Sequence, residues 1–190
     1  MKGWGGSGQR IAPSRAMALR EVLKFPEKRL REISKPITEI SDEIRALARD
    51  MCDVMYDEPG IGLAAPQVGV AIRLIVVDTE WTREDAERNP LILINPEIVE
   101  REGTITWTEG CLSVPDFEAE VERFHSVRLV ARDLEGEEVV IDASELQAVC
   151  FQHEIDHLDG ILFIDRISRL KRNLYVNKRK KQLRRELEEA

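Results

Sequence analysis

The run His153-Glu154-Ile155-Asp156-His157 constrains this chain more than any other feature. On an α-helix, positions i and i+4 lie on one face, so both imidazoles reach a single metal ion. Glu154, one position round, reaches a water beside that ion. The pattern points to metal-assisted hydrolysis. Neighbouring residues specify the helix: Ser144 ahead of Gln147 predicts a capping box, and Gly160 predicts a stop about one turn after His157. Leu146, Val149 and Cys150 continue the histidine face, while Ala148, Phe151, Ile155 and Leu158 make a second apolar side. A helix apolar on most sides is buried. One such match in a charged chain is as often a solvated helix face. Here, however, two of the three histidines share one face among apolar neighbours, where an unpaired imidazole needs a partner.

Two ligands do not complete a catalytic site, which normally takes three from the protein and leaves a position for water. In the longer metalloprotease pattern the third is a histidine six residues after the second, and that position is Phe163. The acids beyond Asp165 are Glu186, Glu188 and Glu189, in a basic tail. The third ligand is therefore expected upstream, where cysteine is the best candidate. Cys52 and Cys150 fall on apolar helical faces and read as small buried hydrophobes. Cys111 lies in Glu109-Gly110-Cys111-Leu112-Ser113-Val114-Pro115, where a glycine before and a proline after mark shaped backbone. His125, the remaining histidine, sits between Phe124 and Val127 and reads as a surface or satisfied strand residue.

Three segments, Gly60-Ile61-Gly62-Leu63-Ala64-Ala65-Pro66-Gln67, Glu109-Gly110-Cys111-Leu112-Ser113 and His153-Glu154-Ile155-Asp156-His157, resemble the three ordered motifs of the peptide deformylases. The resemblance runs from about Leu23 to Leu170, and three motifs in order are far more specific than any one. It implies a hydrolase that removes the N-formyl group from the initiator methionine of nascent polypeptides and releases formate. It also implies Cys111, as thiolate, with His153 and His157 as metal ligands, and Glu154 as the group that takes a proton from the attacking water and returns it to the departing amine. A thiolate with two imidazoles suits zinc by softness. The resemblance implies ferrous iron as the working ion, with nickel, cobalt or zinc accepted, and Fe²⁺ is the favoured expectation.

By the same resemblance, the side-chain amide of Gln67 and the backbone N–H of Leu112 would face the formyl oxygen as it gains charge; one such donor is typically worth about 2.7–4 kcal/mol. Gly60 and Gly62 let backbone approach a substrate. Taken alone, that segment is an ordinary glycine turn. Ile61, Leu112 and Val149 are candidate walls for the methionine side chain, although Val149 equally suits plain helix core. Glu109 has an orienting role near Cys111 or is an exposed turn carboxylate. One position departs from the family: after Pro115 an arginine that holds the peptide backbone is common, and Glu118 stands there.

The 190 residues, 43% of them hydrophobic, suffice for one ordinary core. No run approaches the roughly 18 apolar residues of a membrane span, and no apolar stretch follows Met1. Three cysteines in no disulfide framework fit a reducing compartment, so a cytoplasmic location is expected; the chain is also expected to be a monomer. Residues 1–20 are glycine-rich and carry no acid; a disordered extension, or a start at Met17, is expected ahead of a catalytic domain over 21–170 and a basic helix over 171–190. A helix is predicted from Ser41 to about Tyr56, and strands at 74–78, 91–95, 104–107, 127–131 and 139–142, with a hairpin turn at Gly136. Strands grouped between helices without βαβ alternation indicate α+β: antiparallel sheets packed around the metal helix, flanked by N- and C-terminal helices.

Residues 166–190 carry ten Lys/Arg and three Glu, against a whole-chain net charge of −8. A basic terminal helix is ordinarily a solvated face. The resemblance implies ribosome contact, where RNA phosphates would meet Lys178, Arg179, Lys180 and Lys181. The acidic body opposes DNA binding. Two other classes compete with the deformylase: a zinc peptidase, disfavoured by Phe163, and a non-catalytic binder of formylated N-termini, which would be expected to have lost Glu154 or a ligand.

Overall fold

The computed structural model describes residues 20–189. Helix α1 (Asp42–Asp57) opens at Ser41, whose hydroxyl accepts from the Ile44 N–H, and is followed by a short strand β1 (Gly62–Ala64) and a single 3₁₀ turn (Ala65–Val68). Strands β2 (Leu74–Val77), β3 (Leu91–Glu102), β4 (Ile105–Cys111), β5 (Val114–Arg123), β6 (Ser126–Arg132) and β7 (Glu138–Ser144) lead into α2 (Glu145–Leu158) and α3 (Arg169–Glu189). All strand pairs are antiparallel: one sheet runs β1-β2-β3-β6-β7, and β4 with β5 makes a separate ribbon.

Strand β2 explains how the layers stack. Its Leu-Ile-Val-Val run has no polar face, and each of its residues is buried, because the sheet is covered on both sides. Leu74 and Val76 join Met51, Val54 and Met55 of α1 in one core, while Ile75 and Val77 join Ala148, Phe151 and Leu158 of α2 in a second. The alternation extends to β1, where Leu63 faces α1 and Ala64 faces α2. A third core gathers the inner face of the β4–β5 ribbon, Leu162, Phe163 and Ile164 beyond α2, and Tyr175 of α3.

The expected strands are present, with β3 and β4 running further than predicted, and Gly136 makes the hairpin at φ +89°. Two strands were not expected. β1 lies in the segment that reads as a glycine turn, and β5 covers the stretch after Cys111 that reads as irregular. The predicted capping box at Ser144 is absent: Ser144 pairs with Ser126 as the last residue of β7, and Glu145, at φ +52°, turns the strand straight into the helix. Gly160 stops α2 as predicted, at φ +71°, and a Cβ there would lie 2.5 Å from the Arg31 carbonyl oxygen. Helix α3 begins at Arg169, ahead of the expected boundary at 171, and buries Tyr175 against Phe25 and Phe117. Of the expected extension, residues 1–19 lie outside the described residues; Arg20 is placed, with its Nε 3.3 Å from Asp50.

Candidate active site

Helix α2 runs between the large sheet and the ribbon, so its His153-Glu154-x-x-His157 residues are buried. Strand β4 brings Cys111 to them, and the ligand atoms of Cys111, His153 and His157 lie within 4.8 Å of one another. Cys111 Sγ is 3.2 Å from His157 Nε2. Burial pushes the Cys52 thiol up to about 12 and the Cys150 thiol well above its ordinary value, as their reading as small hydrophobes requires. His125 lies in the bend between β5 and β6, away from this cluster, with its Nδ1 2.9 Å from Ser126 Oγ; it is a satisfied histidine as expected, although not within a strand.

Glu109 is no exposed turn residue. It lies on the inner face of β4, 5% exposed, and its Oε2 is 2.8 Å from His153 Nδ1, which leaves Nε2 of that ring turned toward Cys111 and His157. Arg123 of β5 donates through Nε and Nη2 to both Glu109 oxygens, at 2.6 and 2.9 Å, and through Nη1 to Asp156 at 2.6 Å. Burial opposes the charge on Glu109, but the Arg123 and His153 hydrogen bonds prevail and hold its carboxyl at about 2. Arg166 closes the network by bonding both Asp156 oxygens. Arg123, Asp156 and Arg166 were not among the expected site residues, although an arginine in step with Ala119 and Val121 on an alternating strand was the signal available.

Glu154 is the buried site acid that no base meets with a hydrogen bond. It is 4% exposed, its Oε2 has no hydrogen-bond partner, and burial pushes its carboxyl up to about 7. A Cβ built on Gly62 would come within 2.5 Å of its Oε1 and 2.8 Å of Cys150 Sγ, so a larger residue there would push the Glu154 carboxylate aside. His157 Nδ1 is likewise buried without a partner, and burial keeps that ring well below its ordinary pKa, as the neutral imidazole a metal ion requires. Gln67 is fixed from both ends: its Oε1 accepts from the Ala64 N–H at 2.8 Å, and its Nε2 donates to Ser113 Oγ at 3.1 Å and lies 3.7 Å from Cys111 Sγ. The Leu112 carbonyl accepts from Lys24 Nζ at 2.9 Å, which anchors the Leu112–Ser113 peptide unit.

These groups open into one cavity of about 740 Å³. Gly60, Ile61, Gly62, Gln67, Glu109, Cys111, Leu112, Val149, His153 and Glu154 all line it, and His157, 1% exposed, lies just behind the lining against Cys111, so the sequence-predicted residues come together. Val149 is a wall residue as well as a buried helix residue. Glu118 and Asp116 also line the cavity, and neither pairs with a base among the described residues. One thiol and two imidazoles aimed at a common point, beside an unpartnered carboxylate in a cavity of ligand size, are the parts of a hydrolytic metal centre.

Comparison with known proteins agrees over nearly the whole chain. A family profile described as polypeptide deformylase matches residues 19–173. A curated peptide deformylase of Alkalilimnicola ehrlichii is 51% identical over 172 residues, 90% of each chain, and one of Afipia carboxidovorans is 52% identical over 163 residues, 85% of this chain and 94% of that one. The crystal structure of a peptide deformylase from Legionella pneumophila, 41% identical, superposes with a TM-score of 0.81 over 90% of this chain and 98% of that one. Motif order, antiparallel α+β architecture and a Cys/His/His group at the floor of one cavity thus converge with these matches, and the chain belongs to the polypeptide deformylase family, the metal-dependent hydrolases that remove the N-formyl group from newly made polypeptides.

Proposed function

We propose that Cys111, His153 and His157 hold one Fe²⁺ ion and that Glu154 moves the protons of the reaction. The observation that carries this reading is the buried, unpartnered Glu154 Oε2, held beside three soft and borderline donor atoms within 4.8 Å of one another. The donor set fits a first-row divalent ion, and Zn²⁺, Ni²⁺ or Co²⁺ suit it as well. When bound, the ion supplies Lewis acidity, which makes a neutral-pH water nucleophilic and polarises the formyl carbonyl. Glu154 accepts the proton of the attacking water and donates it to the amine nitrogen that leaves as the C–N bond breaks, so formate and a free N-terminus are the products. Gln67 Nε2 and the Leu112 N–H face the formyl oxygen; the Oε1 bond to Ala64 holds the Gln67 amide in the orientation that presents Nε2. Gly60, Ile61 and Gly62 border the formyl-methionine, with Leu112 and Val149 as apolar walls, and Glu109 orients His153.

In this reading residues 21–170 form the catalytic domain of a cytoplasmic monomer. Helix α3 contacts the ribosome through Lys178, Lys180 and Lys181, which are exposed, whereas Arg179 turns back to donate to the Phe25 carbonyl at 3.2 Å. Among the described residues no helix is long and apolar enough to cross a membrane.

The test is formate release from a formyl-Met-Ala-Ser peptide by protein purified without oxygen, with metal content measured on the same sample. Glu154→Ala should retain the metal and lose about 10²–10⁴-fold in kcat, because it removes a proton carrier and no ligand. Cys111→Ala should lose the metal itself. Near-normal turnover by Glu154→Ala would overturn the mechanism. Equal air stability of iron- and nickel-loaded protein would overturn ferrous iron as the labile working ion.

A further inference from the structure

The cavity wall carries a charge pattern that removal of a formyl group does not require. Along β5, Phe117, Ala119, Val121 and Arg123 turn inward, and Asp116, Glu118, Glu120 and Glu122 are all exposed on the other face. The first two of these acids reach the cavity that contains the unpartnered Glu154. Glu118 leans across Gly110, where a Cβ would lie 3.5 Å from its Cγ and 3.8 Å from its Oε1, and Gly110 directly precedes Cys111. No lysine or arginine lines the cavity among the described residues. The base at its margin, Lys24, is committed to the Leu112 carbonyl and to Glu58 at 3.7 Å. Of the four lining carboxylates, Glu109 is neutralised by Arg123 and Glu154 is the buried group at the reacting centre, which leaves Asp116 and Glu118 as the exposed, unpaired negative charge where a peptide leaves that centre.

Resting on the reading of this cavity as the deformylation site, we propose that Asp116 and Glu118 are specificity-determining residues that favour formylated peptides with lysine or arginine at the second and third positions and disfavour acidic ones. An extended peptide advances about 3.3 Å per residue with side chains on alternate sides. With the formyl group at Glu154 and Cys111, the next residues pass the Gly110–Glu118 step. An ammonium or guanidinium there gains a hydrogen-bonded ion pair, and a carboxylate meets two like charges. The acids touch no reacting atom, so the preference belongs to binding and appears in KM.

The experiment compares kcat and KM for formyl-Met-Ala-X-amide and formyl-Met-X-Ala-amide, with X as Lys, Gln or Glu and the C-terminal charge removed. At about 10 mM ionic strength, where the Debye length is about 30 Å, kcat/KM should fall in the order Lys, Gln, Glu over a span of about tenfold, and the span should collapse near 1 M salt. Asp116→Asn with Glu118→Gln should flatten the series, and Glu118→Arg should invert it. Equal kcat/KM for the lysine and glutamate peptides at low salt, with the glutamine peptide hydrolysed, would overturn this inference and leave the deformylase reading standing. Absence of hydrolysis for every peptide would count against the deformylase reading. In that case, the Kd values of Met-Ala-Lys-amide and Met-Ala-Glu-amide, measured calorimetrically without turnover, still decide the charge preference, and equal values would overturn it.

Discussion

The two faces of the β4–β5 ribbon carry the same residue type to opposite ends. On the inner face Glu109 is locked between Arg123 and His153, charged and 5% exposed, while on the outer face Asp116, Glu118, Glu120 and Glu122 are exposed and form no ion pair among the described residues. A period of two places neighbours one residue apart in unrelated dielectric surroundings. Inside, a carboxylate is worth having only because a guanidinium meets it with two hydrogen bonds; unpaired, it would be expelled or neutralised. Outside, the same group costs little and acts only through its field. The inner face therefore governs how His153 is held beside Cys111 and His157, and substitutions on the outer face leave that arrangement undisturbed.

The sharpest way to break this contrast is to remove the inner cation. Arg123→Met keeps the apolar stem and leaves Glu109 charged in the interior, with Asp156 held by Arg166 alone. Breaking a buried pair from one side costs about 3–5 kcal/mol. Denaturant unfolding of the metal-loaded protein should show a loss of that size, and the double variant with Glu109→Gln should recover part of it, since the orphaned charge is then gone. A loss within about 1 kcal/mol would mean that water reaches the network and that the two faces differ less than their exposure implies.

The contrast also explains what was legible in the sequence. The α2 motif could be read because i, i+4 spacing alone places two rings on one face, and β2 because an all-apolar run has no solvated side. Strand β5 was hidden by composition: Pro115 and four acids are poor strand formers, although Phe117-Glu118-Ala119-Glu120-Val121-Glu122-Arg123 alternates strictly once the acids are taken as one face. Glu109 could be placed near Cys111 but not inside, since burial of a carboxylate depends on Arg123, and that pairing is a tertiary contact across the ribbon with no local signature. The capping box failed for a similar reason, because Ser144 was already taken by the sheet.

A smaller effect sharpens the role of the inner acid. Glu109→Gln preserves shape and replaces the charged acceptor of His153 Nδ1 with a neutral amide. Outer partners of ligating histidines are typically worth about 10–100-fold in metal affinity. Competition with a chelator should show a weakening in that range, and kcat per bound metal should fall less than the affinity does. A change in unfolding midpoint without any change in metal affinity would assign Glu109 to structure alone.

The smallest expected effect is on the far end of the outer face, and it separates a local charge from a general one. Glu120 and Glu122 continue the stripe of Asp116 and Glu118 away from the cavity and do not line it. Both are exposed and sit opposite Thr108 and Thr106 on β4, so neither supports a buried partner. Surface substitutions of this kind fall within about 0.5 kcal/mol. Glu120→Gln with Glu122→Gln should therefore leave unfolding within that margin and shift the ratio of kcat/KM between lysine and glutamate peptides by less than about twofold, well below the effect of the same change at Asp116 and Glu118. The measurement belongs at low ionic strength, where a long-range field would be most visible. Should the distal pair shift the ratio as much as the proximal pair, the selectivity would come from the net charge of the whole outer face, and contact at the cavity mouth would have no part in it.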